Sequence, residues 1–199
     1  FIYNILDIQN SSNSSQSAYR FWFNDFKKNF DTREGDVYEF GVYRGSSLIS
    51  IALLAKVLGS KKHFWGFDSF SGFPGYSKED ELDKFSTENG FSKELIDNHK
   101  FLLKLKEVNL EINYSELNLK EKLSNIGKSG TFENTSYDLL MRKIELLELD
   151  NITLVPGEFK DTIPKHFENK KTKIFSANID CDLYEGYKLC LPIIFKSLE

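Results

Sequence analysis

Four short stretches of the chain carry residue types suited to binding and chemistry. They are Glu39-Phe40-Gly41-Val42-Tyr43-Arg44-Gly45-Ser46, Asp68-Ser69-Phe70, Gly157-Glu158-Phe159-Lys160-Asp161-Thr162 and Asp180-Cys181-Asp182. Gly41 and Gly45 allow a ligand to approach the backbone closely. Their spacing differs from the dinucleotide pattern G-x-G-x-x-G, because the middle glycine is missing and Val42 and Tyr43 stand where a diphosphate would settle. A ligand without phosphates, an adenosyl group carrying an amino acid, suits the turn better. Its carboxylate would meet backbone N–H groups near Ser46, its ammonium Glu39 or a carbonyl, and its ribose hydroxyls Asp68. Asp180 and Asp182 offer the oxygens that hard divalent cations take. Strand alternation would aim the two in opposite directions, so one of them is expected as the direct ligand. Structural roles stay open for the same residues: a plain strand-to-helix turn for the glycines, a turn or helix cap for Asp68, and the N-cap of the following helix for Asp182.

The elements that must position these stretches are legible around them. Tyr19, Trp22, Phe23, Phe26 and Phe30 recur with helical spacing and predict an N-terminal helix within 16–34, whose aromatic face is read as packing and is also available to a homo-oligomer. Asp36–Phe40 reads as a strand and Ser46–Leu58 as a helix apolar nearly all round, stopped by Gly59. His63–Phe67 follows as a second strand ending at Asp68, which makes a βαβ unit with parallel strands and a right-handed crossover. Residues 76–128 are densely charged with short helical apolar groups and are read as a helical insertion or lid, in which the run Lys78–Lys84 is a solvated face. Thr135 with Asp138 resembles a capping box for a helix striped by Leu140, Ile144 and Leu147. Ile152–Val155 and Lys173–Ile179 predict two further strands. The fold class is therefore α/β, a Rossmann-like, mostly parallel sheet with a helical insertion. In such sheets ligands gather beyond the carboxyl ends of the strands, where all four polar stretches fall.

Composition narrows the classes further. With 199 residues the chain suits one domain. Its 26 basic and 30 acidic side chains leave a net charge of −4 with no basic tract, which argues against nucleic acid as a partner. No apolar run is long enough for a membrane span and no leader is readable, so the expected location is cytoplasmic. Cys181 and Cys190 have neither CxxC spacing nor a histidine partner and read as buried thiols. His63, His99 and His166 are read as structural, His166 on a surface helix.

The stretches VYEFGVYRGSS, HFWGFDSFSGFPG, GTFENTS, LVPGEFKDTIP and IDCDLYEG, in this order, resemble the macrocin O-methyltransferase family over most of residues 35–190. The resemblance implies a class I methyltransferase fold that uses S-adenosylmethionine on a sugar hydroxyl. It implies cofactor contacts at Glu39, Gly41, Tyr43, Gly45, Ser46, Asp68 and Ser69, with adenine-side contacts at Gly157, Glu158 and Phe159. Asp180 is implied as a catalytic magnesium ligand, with Asp182 beside it. The family continues beyond the DLYE helix to a second acidic cluster that completes the metal site, so the natural protein is expected to extend past Glu199. Gly186-Tyr187 stands where the family has Ser or Thr, and Pro192 is expected to kink the last helix. Two other readings remain at this stage: a degenerate, non-catalytic binding or oligomerisation module, and a nicotinamide-dependent oxidoreductase, which the missing glycine disfavours.

Overall fold

A computed structural model describes residues 19–81, 84, 86–113, 132–168 and 173–198, without the side chains of 103 and 106–113. The elements in chain order are α1 (Arg20–Asn29), β1 (Asp36–Phe40), α2 (Ser46–Leu58), β2 (Phe64–Asp68), α3 (Lys93–Asn113), α4 (Tyr137–Leu146), β3 (Ile152–Pro156), α5 (Phe159–Phe167), β4 (Ile174–Ile179) and α6 (Tyr184–Ser197). The four strands form one parallel sheet in the order β3-β2-β1-β4. The order reverses between β1 and β4, which makes their carboxyl ends the switch point.

Strand alternation divides the apolar residues between two faces. Val37 and Phe64 point to one face, where Phe23 and Phe26 of α1, Leu48, Ile51 and Ala52 of α2, and Leu140 and Ile144 of α4 complete a buried cluster. Tyr38, Phe40 and Phe67 point to the other, against Ile163 of α5 and Cys190 and Ile194 of α6. Gly66 is required by the first face: a Cβ there would lie 2.6 Å from Leu48 Cδ2 and 2.9 Å from Val42 Cγ2. The register of β4 shifts between Asp36 and Val37, where Asp36 pairs with Ile174 but Val37 pairs with Ser176. This bulge turns two consecutive residues toward α1. Phe175 packs its ring on Phe26, and Ser176 accepts a hydrogen bond from Trp22 Nε1 at 2.9 Å.

Several expectations are refined. The aromatic face of α1 is covered by the sheet within the chain, leaving Phe21 on the outer side 80% exposed. Residues 16–18 of the expected helix lie outside the described residues. In the insertion, the described part holds short 3₁₀ turns at Lys78–Asp80 and Thr87–Asn89 and the helix α3, and 114–128 lie outside it. The cap of α4 is Ser136, which accepts from Leu139 N, because the neighbouring Thr135 hydroxyl donates to the Tyr43 carbonyl instead. Helix α6 runs on through Pro192. His166 is drawn off the surface into a ring cluster with Trp65, at 4.6 Å between centroids, and Phe67, at 5.2 Å. Cys181 and Cys190 are buried free thiols, as expected. Among the described residues no helix is long and apolar enough to cross a membrane.

Candidate functional site

The carboxyl ends of the strands surround one cavity of about 630 Å³, within the range of small-molecule sites. Ten of the twelve residues expected from sequence line it: Gly41, Tyr43, Ser46, Asp68, Ser69, Gly157, Glu158, Phe159, Asp180 and Asp182. Glu39 and Gly45 do not, for two physical reasons. Gly45 sits in the left-handed conformation at the N-cap of α2, and a Cβ on it would collide with Leu140 of α4, so its smallness serves helix packing. Glu39 is fully buried behind Ser47, which does line the cavity and donates its hydroxyl to Glu39 Oε1. Asn178 Nδ2 donates to the same oxygen at 2.7 Å, while Oε2 has no hydrogen-bond partner among the described residues. Burial pushes this carboxyl up to about 8, against the opposing pull of the two donors.

The turn after β1 is organised by the end of β2. Asp68 Oδ2 accepts from Val42 N and Tyr43 N, each at 2.8 Å, and Oδ1 accepts from Phe70 N at 2.7 Å. Three of about four lone-pair sites are thereby used, so a grip on both ribose hydroxyls is reduced to room for one. The same bonds bear on phosphate recognition. The N–H groups that would hold a diphosphate are already committed, and a carboxylate occupies their front. Gly41, in the left-handed region, is pressed against the carbonyl of Asp180, so the ends of β1 and β4 meet with no side chain between them. Helix α2 opens onto the cavity through Ser46 and Ser47, and its N-cap, Gly45, has no side chain with which to cap the first turn.

The acidic end of β4 is set by residues far away in the chain. Tyr19 lies 161 positions earlier, lines the cavity and donates its hydroxyl to Asp180 Oδ2 at 3.2 Å. Burial, then the charges of Asp180 and Glu39, push the Tyr19 phenol up to about 12, so it remains a donor. Asp182 is in the left-handed conformation with φ 57°. Partial burial and then the charge of Asp180 push its carboxyl up to about 6. It is not the N-cap of α6: Leu183 holds that position, and the carboxylate serving the helix start is Asp80, which accepts from Tyr184 N at 2.9 Å. Asp80, within the charged run Lys78–Lys84 that is expected to be solvated, is instead buried.

Two carboxylates that repel each other at a cavity rim form a donor set a divalent cation would stabilise, since magnesium commonly uses one or two carboxylates with water and substrate completing its shell. The described residues contain no cluster of three or more His, Cys, Asp or Glu side chains suited to holding a metal. Tyr19, Ser47, Asp80 and Phe132 are wall residues that sequence reasoning left out. Tyr19 carried a signal as the first aromatic of the stripe, and Ser47 and Phe132 lie in the stretches VYEFGVYRGSS and GTFENTS, whereas Asp80 carried none.

A parallel doubly wound sheet with a cavity at its switch point defines an α/β protein of Rossmann-like form. Residues 27–151 match the sequence profile of the macrocin-O-methyltransferase (TylF) family, and the chain belongs to that family. Its fold is also that of solved methyltransferases. The crystal structure of CalS11, a calicheamicin methyltransferase, superposes with a TM-score of 0.57 at 19% identity, covering 100% of this chain and 71% of that one. The O-methyltransferase NovP superposes with a TM-score of 0.54 at 18% identity, covering 90% of this chain and 58% of that one. No curated protein sequence matches.

Proposed function

We propose that the chain is the S-adenosylmethionine-dependent catalytic domain of an O-methyltransferase that acts on a hydroxyl of a sugar or sugar-containing small molecule with the help of a divalent metal. The observation that carries this reading is the gathering of ten expected residues on one cavity in a member of this family. S-adenosylmethionine, when bound, supplies an electrophilic methyl group. The N-terminus of α2 at Ser46 and Ser47 holds its carboxylate, Asp68 accepts one ribose hydroxyl, and Gly157, Glu158 and Phe159 flank the base. Fixing donor and acceptor in line accelerates transfer by orientation, with no covalent enzyme species required.

Asp180 and Asp182 hold and orient the acceptor hydroxyl at the far rim, and Tyr19 fixes the Asp180 carboxylate by its hydrogen bond. Asp180 and Asp182 would also be the residues to hold a divalent ion, which would supply Lewis acidity at the acceptor oxygen. Titration calorimetry with S-adenosylhomocysteine tests the cofactor site. Binding is expected for the unmodified chain and its loss for Asp68→Ala, since that change removes a ribose acceptor and releases Val42 N and Tyr43 N together. No binding by the unmodified chain, with NADH bound instead, would overturn the cofactor assignment. Metal assistance predicts that EDTA and Asp180→Ala each remove methyl transfer by the full-length protein. Full turnover in either case excludes it, and cofactor binding with no methylation of any hydroxyl acceptor favours a non-catalytic module.

A further inference from the structure

We propose that Asp80 is a positioning residue that couples the outer wall of the cavity to the acid turn Asp180–Asp182, so that the two hold their shape as one unit. Asp80 is 2% exposed although it sits in a run of charges. Burying a carboxylate is costly unless hydrogen bonds replace its water, and here the replacements come from two distant parts of the chain. Oδ2 accepts from Ser77 N at 2.9 Å and Ser77 Oγ at 2.7 Å, closing the 3₁₀ turn that follows the wall residues Phe73 and Tyr76. Oδ1 reaches across 104 positions to Tyr184 N at the start of α6. Leu183, the N-cap there, has no side-chain oxygen, so Asp80 satisfies a first-turn donor that α6 cannot satisfy locally, and its negative charge suits the helix N-terminus.

The acid turn needs such support. Leu183 N donates to the Cys181 carbonyl at 2.6 Å across Asp182 in the left-handed region. A three-residue turn of this hand is rare and strained, and strained backbone persists where its surroundings over-determine it. From below, Cys181 is packed under Gly186, where a Cβ would come within 2.8 Å of the thiol sulfur. From outside, Asp80 anchors the first helical residue after the turn. The mechanical part of this inference stands on these contacts alone, and its catalytic part rests on the methyl-transfer reading.

Amide hydrogen exchange on the unmodified chain and on Asp80→Asn tests the coupling. Asparagine keeps one acceptor oxygen, so it cannot receive both the Ser77 donors and Tyr184 N. Exchange is expected to rise by about tenfold or more at Ser77–Asp80 and at Leu183–Gly186 together, with the central strands unchanged. A rise confined to the 3₁₀ turn, or spread evenly through the sheet, would overturn the proposal. Should Asp80→Asn fail to fold, Ser77→Ala is expected to give the same paired rise in smaller measure, and a rise at one segment alone overturns the proposal. In the full-length protein Asp80→Asn is expected to lower kcat/KM for the acceptor by about tenfold, with S-adenosylhomocysteine affinity within about threefold. Unchanged kcat/KM despite the paired rise would overturn the catalytic part. Absence of transfer by the unmodified protein would instead refute the functional reading and leave the exchange result to decide the coupling.

Discussion

Glu39 is a charged residue type placed where no water reaches it, and that placement has a measurable consequence. Its folded-state carboxyl is pushed up to about 8 by burial, above the ordinary 4.5. Between those values the folded chain keeps a proton that the unfolded chain releases, so stability falls as pH rises from about 4.5 toward 8 and levels off beyond. Glu39→Gln removes the titration while keeping an acceptor for Ser47 and Asn178. The fall in Tm of the parent between pH 5 and 8 is therefore expected to exceed that of Glu39→Gln by at least about 2–4 °C, the shift that 1 kcal/mol produces in a chain of this size. Parallel Tm profiles would refute the buried proton. The residue type at 39 and its position before the glycine turn were legible in the sequence. Its place behind Ser47 was not, because burial depends on β4 supplying Asn178 from 139 positions away.

At the scale of elements, the strands and the helix between β1 and β2 were readable to within about a residue, since apolar runs bounded by glycine and aspartate leave few alternatives. The caps were less readable. Thr135, Ser136 and Asp182 all had the chemistry of a cap, and two tertiary hydrogen bonds, one donated by Thr135 to the Tyr43 carbonyl and one accepted by Asp80 from Tyr184 N, decided among them. The contact between α2 and the sheet yields a packing prediction at Gly66. A methyl group there would press on Leu48, Val42 and Leu154, all buried, and overpacking of this kind costs about 1–3 kcal/mol. Gly66→Ala is expected to lower the urea midpoint, and the double variant with Leu48→Ala to lose less than the sum of the two single losses, because the second change removes the nearest obstructing atom. A double variant that simply sums the two single losses would show that the methyl is accommodated elsewhere.

Over the whole molecule, the site is assembled from both ends of the described chain, with α1 laid across one sheet face so that its first aromatic reaches the last strand. The stripe Trp22, Phe23, Phe26 and Phe30 identified that face from sequence, while the landing point of Tyr19 on Asp180 required the three-dimensional path. Tyr19→Phe keeps the ring and deletes only the hydroxyl. In the full-length protein it is expected to cut kcat/KM for methyl transfer by about tenfold, the value of roughly 1.4 kcal/mol, with Tm within about 2 °C of the parent. Equal rates for the two proteins would show that Asp180 needs no such tether.

The extra residue in β4 sets the parity of everything after it. Had Val37 continued the pairing of Asp36 with Ile174 without interruption, Asn178 would pair with Phe40 and face α5 and α6, and Ala177 would lie opposite Glu39. Pairing carried through without the bulge would thus invert the strand's last residues like a zip engaged one tooth out, whereas deleting Phe175 would let Ser176 follow Ile174 and leave Asn178 opposite Glu39. The amide that accompanies the buried carboxyl and the direction in which Asp180 leaves the sheet both descend from that single insertion.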